Sequence, residues 1–211
     1  MKARLLAECL ILCLVVPGIL IFGHQPQWMF PFLWAAATYC LIVLKRDLGL
    51  SLQDYWKPWA ISAQTLRPIL IRWSLISLAM PVLLLAIDPT HLFEIWRKRP
   101  EFIPLLVVLY PPLSALPQEL VFCSFFFARY RPLFGMGWHM IIASASVFAY
   151  AHVLYLNPIA PPLSFLGGLI FATTYRRHGS LALVTLEHGL YGISLFLTGL
   201  GWYFFSRAVQ K

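Results

Sequence analysis

Glu119, His152 and His188 are the residues of this chain whose types and settings could do chemistry. Each stands inside an apolar run. Glu119 lies in Leu116-Pro117-Gln118-Glu119-Leu120-Val121-Phe122, His152 closes Phe148-Ala149-Tyr150-Ala151-His152, and His188 sits in Thr185-Leu186-Glu187-His188-Gly189. An ionised carboxylate in hydrocarbon costs at least ~2.5–3.5 kcal/mol, so it calls for a partner, a wet cavity or a changed protonation state. A buried carboxylate with two imidazoles can do three kinds of work. The carboxylate can act as general base on a water, with the imidazoles orienting that water or stabilising an oxyanion. The same donors can hold zinc. They can also relay protons or bind a cation in a transporter. A single histidine in an apolar helix is most often a hydrogen-bonded structural residue, but three ionisable groups on three runs favour a site.

The elements that position them must be membrane spans. The 211 residues are 60% hydrophobic and 11% charged, against about 25% charged in a soluble domain, and no polar stretch is long enough to form a separate domain. Residues 1–211 therefore read as one integral membrane domain. The net charge of +8 is spread in short clusters between apolar runs: Lys45-Arg46, Arg97-Lys98-Arg99, Arg129 with Arg131, and Arg176-Arg177. That is loop placement beside lipid headgroups, and it excludes a nucleic-acid groove. The four cysteines, Cys9, Cys13, Cys40 and Cys123, have no C-x-x-C spacing and indicate neither a zinc knuckle nor a disulfide framework. H-E-x-x-H is absent, which excludes a zincin helix.

Runs long enough to span fall at Leu5–Phe22, Trp28–Leu44, Ile69–Ile87, Phe102–Ala128, Trp138–Val153, Pro158–Tyr175 and Ser180–Phe205. The last can break near Gly192 or Gly199, so the reading is an all-α polytopic bundle of seven or eight spans. The first run follows Lys2 and Arg4 like a signal peptide, but no small-residue cleavage site follows it, so it is read as a span. His24-Gln25-Pro26-Gln27 reads as a tight turn, and Ser51 with Asp54 as a capping box opening an interfacial helix with Leu52, Tyr55, Trp56 and Trp59 on one face. Arg72, near the start of its span, is expected to snorkel outward. Pro111-Pro112 and Pro117 predict a kink or a break, and a helix beginning at Pro117 would put Glu119 in its first turn. Small residues between Ala143 and Ala151 suit a tightly held central helix. Placing Lys2, Lys45, Arg129 and Arg176 on the inner side is self-consistent, although Arg97-Lys98-Arg99 then falls outside. At ~1.5 Å per residue, Glu119 and His188 lie ~15 Å and His152 ~20 Å from their helix ends, all near mid-membrane. Glu187 points ~100° away from His188 and is a supporting partner or lines another face. His24, His91, His139 and His178 fall at loops or span ends and receive no role.

The order of these elements resembles the CPBP family of intramembrane proteases, which comprises the CAAX prenyl proteases and bacteriocin-processing enzymes and is also called the ABI family. That family carries E-E-x-x-x-R on one span, F-x-x-x-H on the next, and H-x-x-x-N or a variant near the end. Gln118-Glu119-Leu120-Val121-Phe122-Cys123 stands at the first motif, Phe148-Ala149-Tyr150-Ala151-His152 matches the second, and His188-Gly189-Leu190-Tyr191-Gly192 stands at the third. The resemblance covers residues 102–192. Gln118 occupies the position of the glutamate regarded in the family as catalytic base, Cys123 that of the arginine and Gly192 that of the asparagine. A glutamine cannot take a proton from water. Either Glu119 has taken over as base, on a rotated or unwound helix, or the chain is an inactive relative.

The resemblance implies an intramembrane endopeptidase of glutamic type acting on a membrane-anchored peptide or protein. Glu119 would activate water with His188, and His152 would orient the water or stabilise the oxyanion. Gln118, Phe148 and Glu187 would support them, and no cofactor would be needed. The expected setting is the lipid bilayer of a bacterial plasma membrane, with no nucleic-acid partner. The alternatives are a zinc protease using Glu119, His152 and His188, and a catalytically inactive membrane adaptor or immunity protein. A transporter ranks below these, because no internal repeat is visible.

Overall fold

The computed structural model describes residues 2–23 and 26–204. His24 and Gln25 of the expected turn, and Phe205, lie outside the described residues. Seven long helices form the architecture: α1 (Lys2–Phe22), α2 (Met29–Arg46), α3 (Ala63–Ile87), α4 (Pro100–Phe134), α5 (Trp138–Tyr155), α6 (Ala160–His178) and α7 (Leu181–Thr198). No strand occurs among the described residues. Six of the seven are long and apolar enough to cross a membrane; α6, which ends in Thr173-Thr174-Tyr175-Arg176-Arg177-His178, is not among them. Among the described residues no eighth span forms. α7 runs unbroken through Gly192 and stops at Gly199, whose φ of +106° suits glycine, and a short 3₁₀ turn follows.

The outer surface is that of a membrane protein: Leu78 is 71% exposed, Val82 66% and Val108 66%. Apolar side chains in such numbers on the outside face lipid, where only fully hydrogen-bonded backbone is stable. α7 lies at the centre, with 67% of its residues buried, and no other candidate span exceeds 39%. The expectation of a central helix at 138–153 is thus corrected, although its small residues do allow close approach. A Cβ added at Gly168 of α6 would stand 2.9 Å from Ala145 Cα on α5. Gly168→Ala is therefore expected to lower stability by ~1–3 kcal/mol, the scale of overpacking against backbone that cannot yield. A thermal melt in detergent checks this.

The helix ends are tied by polar contacts. At one end, Arg129 donates to both oxygens of Glu8 at 2.7 and 2.6 Å and lies 3.8 Å from Asp47, joining α4 to α1 and the end of α2. The capping box forms, with Ser51 N donating to Asp54 at 2.6 Å, but the interfacial helix is a single turn, Leu52–Tyr55. Lys57 adopts a left-handed φ of 41° before Pro58, which ends that helix. The segment instead caps α7: Trp56 O accepts from Ala182 N at 3.0 Å, and Lys57 O accepts from Ser180 Oγ at 2.9 Å. At the other end of α7, Phe93 N donates to Thr198 O at 3.0 Å, and His91 stacks on Trp202 with centroids 4.1 Å apart.

α4 carries the prolines and does not break. Its 35 residues remain helical, with π-type turns at Pro111–Ala115 and Leu120–Phe125 on either side of Leu116–Glu119. Proline lacks an N–H and crowds the carbonyl four residues back, and a widened turn relieves both. Such turns rotate the residues beyond them relative to a regular helix. Glu119 is therefore mid-helix, not in a first turn.

Candidate active site

α4 brings Glu119 against α7. His188 Nδ1 lies 2.7 Å from Glu119 Oε1, and both side chains are buried. A carboxylate oxygen accepts, so Nδ1 donates and Nε2 is left to face Tyr110 Oη at 3.3 Å. Aromatic rings fix the imidazole plane: Phe171 stacks on it with centroids 4.6 Å apart, and Phe148 meets it edge-on at 5.7 Å. Cys123, at the motif's arginine position, sets a thiol rather than a cation beside the Glu119 carboxylate.

His152 lies where α5 tightens into a final 3₁₀ turn. Its Nδ1 is 2.7 Å from the Phe148 carbonyl oxygen, and a carbonyl can only accept. The proton therefore sits on Nδ1, and Nε2 presents a lone pair. The Phe148 ring packs against the same imidazole with centroids 4.5 Å apart. The second motif thus works as a unit in which Phe148 orients His152 through its backbone and both histidines through its ring.

A cavity of about 840 Å³ opens beside these groups, within the ~300–1,000 Å³ common for ligand sites. Its lining is mostly apolar, and its polar members include His152, His188, Gln118, Tyr110, Ser114 and Tyr155. A smaller cavity of about 310 Å³, between α1, α2 and α4, shares Gln118, Ser114, His152 and Tyr155 with it. The two histidines therefore line one cavity, while Glu119 stands behind His188 and is absent from the lining. Gln118 lines both cavities, its amide nitrogen donating to Ser114 O and Oγ at 3.0 Å each.

Glu187 faces the other side of α7 and pairs with Arg72 of α3, which also reaches Thr174 Oγ1 at 3.4 Å. Arg72 thus turns inward instead of snorkelling out, because Glu187 is fully buried and needs a cation. Tyr110 and Ser114 had no distinguishing signal in the sequence. Among the described residues, no three His, Cys, Asp or Glu side chains come together as a metal site.

Residues 100–194 match the family model described as type II CAAX prenyl endopeptidase Rce1-like. No curated protein and no solved structure matches the chain.

Proposed function

We propose, from the match of residues 100–194 to the CAAX-type intramembrane proteases, that this membrane protein hydrolyses a peptide bond of a membrane-anchored substrate. The observation that carries the reading is the Glu119–His188 hydrogen bond at the wall of a largely apolar cavity. Water in the cavity gives a proton to His188 Nε2 as its oxygen attacks the scissile carbonyl carbon. Glu119 holds the imidazole by Nδ1 and stabilises the imidazolium that forms. When the tetrahedral intermediate collapses, the C–N bond breaks and the proton passes to the leaving amine. His152, protonated at Nδ1, accepts a hydrogen bond from the attacking water at Nε2. This geometry supports the orienting role over oxyanion stabilisation, because a neutral imidazole in this tautomer has no donor left for an oxyanion.

The mostly apolar walls suit a substrate that carries its own membrane anchor, such as a prenylated C-terminal motif or a peptide precursor in a bacterial plasma membrane. The test is cleavage of a farnesylated CaaX reporter and of a membrane-anchored precursor peptide by purified protein in liposomes. Wild type should cut one bond, and His188→Ala should not. Cleavage that survives His188→Ala removes the mechanism.

A second reading rests on Gln118. The cavity-facing position of the first motif holds an amide, as an inactive, substrate-binding relative would. Zinc is not required by the proposed chemistry, since a carboxylate–imidazole pair suffices as base. Activity is expected to persist in chelator, with less than one zinc per chain by elemental analysis. Activity lost to chelator and restored by zinc alone would place a metal in the mechanism.

A further inference from the structure

The proposed mechanism leaves one partner unassigned: a donor for the negative charge that develops on the carbonyl oxygen. We propose that Tyr110 is that donor, and that Gly192, at the third motif's asparagine position, is the space that admits its ring. The inference rests on the proteolytic reading given above.

Tyr110 ends the regular helix Ile103–Tyr110 of α4, immediately before the π-type turn at Pro111–Ala115. There α4 lies close against α7. A Cβ added at Gly189 would be 3.2 Å from Pro111, and one added at Gly192 would run into the Tyr110 ring. The ring therefore occupies the volume that any side chain at position 192 would fill. Its edge packs against Phe196 with centroids 5.8 Å apart, its hydroxyl lies 3.3 Å from His188 Nε2, and the residue lines the cavity. At 3.3 Å that hydrogen bond is long, and it is readily exchanged for one to a substrate oxygen.

In the reaction, water oxygen bonds to the carbonyl carbon, its proton goes to His188 Nε2, and the C=O π electrons move to the carbonyl oxygen. The Tyr110 O–H donates a hydrogen bond to that oxygen and keeps its proton. Collapse restores C=O, breaks C–N and delivers the His188 proton to the amine. His152 cannot take this part in its neutral tautomer, and Gln118 has its amide nitrogen engaged with Ser114. Tyr110 places its hydroxyl within hydrogen-bond reach of His188 Nε2, where the proton transfer occurs.

The experiment uses the full chain in liposomes with the two reporters named above, measuring kcat, KM and melting temperature. Tyr110→Phe should lower kcat by about 10²-fold, the scale for losing one oxyanion donor, with KM and melting temperature unchanged. Gly192→Asn should lower the melting temperature, and Tyr110→Ala combined with Gly192→Asn should recover it. A Tyr110→Phe variant with kcat close to wild type overturns the inference, as does a Gly192→Asn protein that melts like wild type. A wild type that cuts neither reporter removes the proposed function and this inference together. A cutting wild type with a fully active Tyr110→Phe removes the inference alone.

Discussion

Glu119→Gln is expected to reduce turnover by ~10²–10⁴-fold while leaving the protein folded. The carboxylate lies behind His188, 2.7 Å from Nδ1, and does not itself line the cavity. In the proposed mechanism its work is to hold the imidazole in one tautomer and to offset the positive charge that His188 gains on taking the water proton. A glutamine in the same place can still accept from Nδ1 through its amide oxygen, so the orientation survives and the charge compensation is lost. Folding should be spared because the two side chains are nearly isosteric and a neutral amide is easier to bury than a carboxylate. The measurement is single-turnover cleavage of the liposome reporter, with a thermal melt on the same preparation. Undiminished cleavage by a well-folded Glu119→Gln protein means that His188 acts without it.

The largest structural effect is expected at Arg72. Its guanidinium neutralises Glu187, which is fully buried one residue before His188. Arg72→Met strands that carboxylate, and stranding a buried charge costs ~3–5 kcal/mol. The low end, about 3 kcal/mol, is expected because the Arg72 side chain is 37% exposed and partly screened. Adding Glu187→Gln to Arg72→Met removes the stranded charge and should restore most of the loss. A simple packing role for the arginine predicts no such rescue. Melting temperatures of the two single variants and the double variant decide between them.

Glu119, His152 and His188 stand out in the sequence because each is an ionisable group in a run that otherwise excludes charge, and the helical class follows from the same apolar runs. What escaped the sequence depends on contacts between distant helices. Arg72 meets Glu187 across 115 positions, and Tyr110 meets His188 across 78. No local pattern encodes either pairing. Leu52, Tyr55, Trp56 and Trp59 share a helical spacing that points to a longer interfacial helix, yet Pro58 and the left-handed Lys57 stop it after one turn. At Pro117 the opposite happened. The prolines suggested a break, but π-type turns absorb them and keep α4 continuous past Glu119. Gln118 and Glu119 are adjacent in sequence, and only the structure sorts them into a cavity-lining amide and a carboxylate behind a histidine.

That sorting sets the most direct test of the central claim, that the Glu119–His188 pair makes this chain a working protease despite Gln118. Cleavage of the membrane-anchored reporters is measured side by side for wild type, Glu119→Gln and Gln118→Glu, with products identified by mass spectrometry. Wild type is expected to cut at a single bond, Glu119→Gln to lose ~10²-fold or more, and Gln118→Glu to give no large gain. A silent wild type alongside an active Gln118→Glu would contradict that claim, and would show an inactive relative whose missing base is the residue at 118.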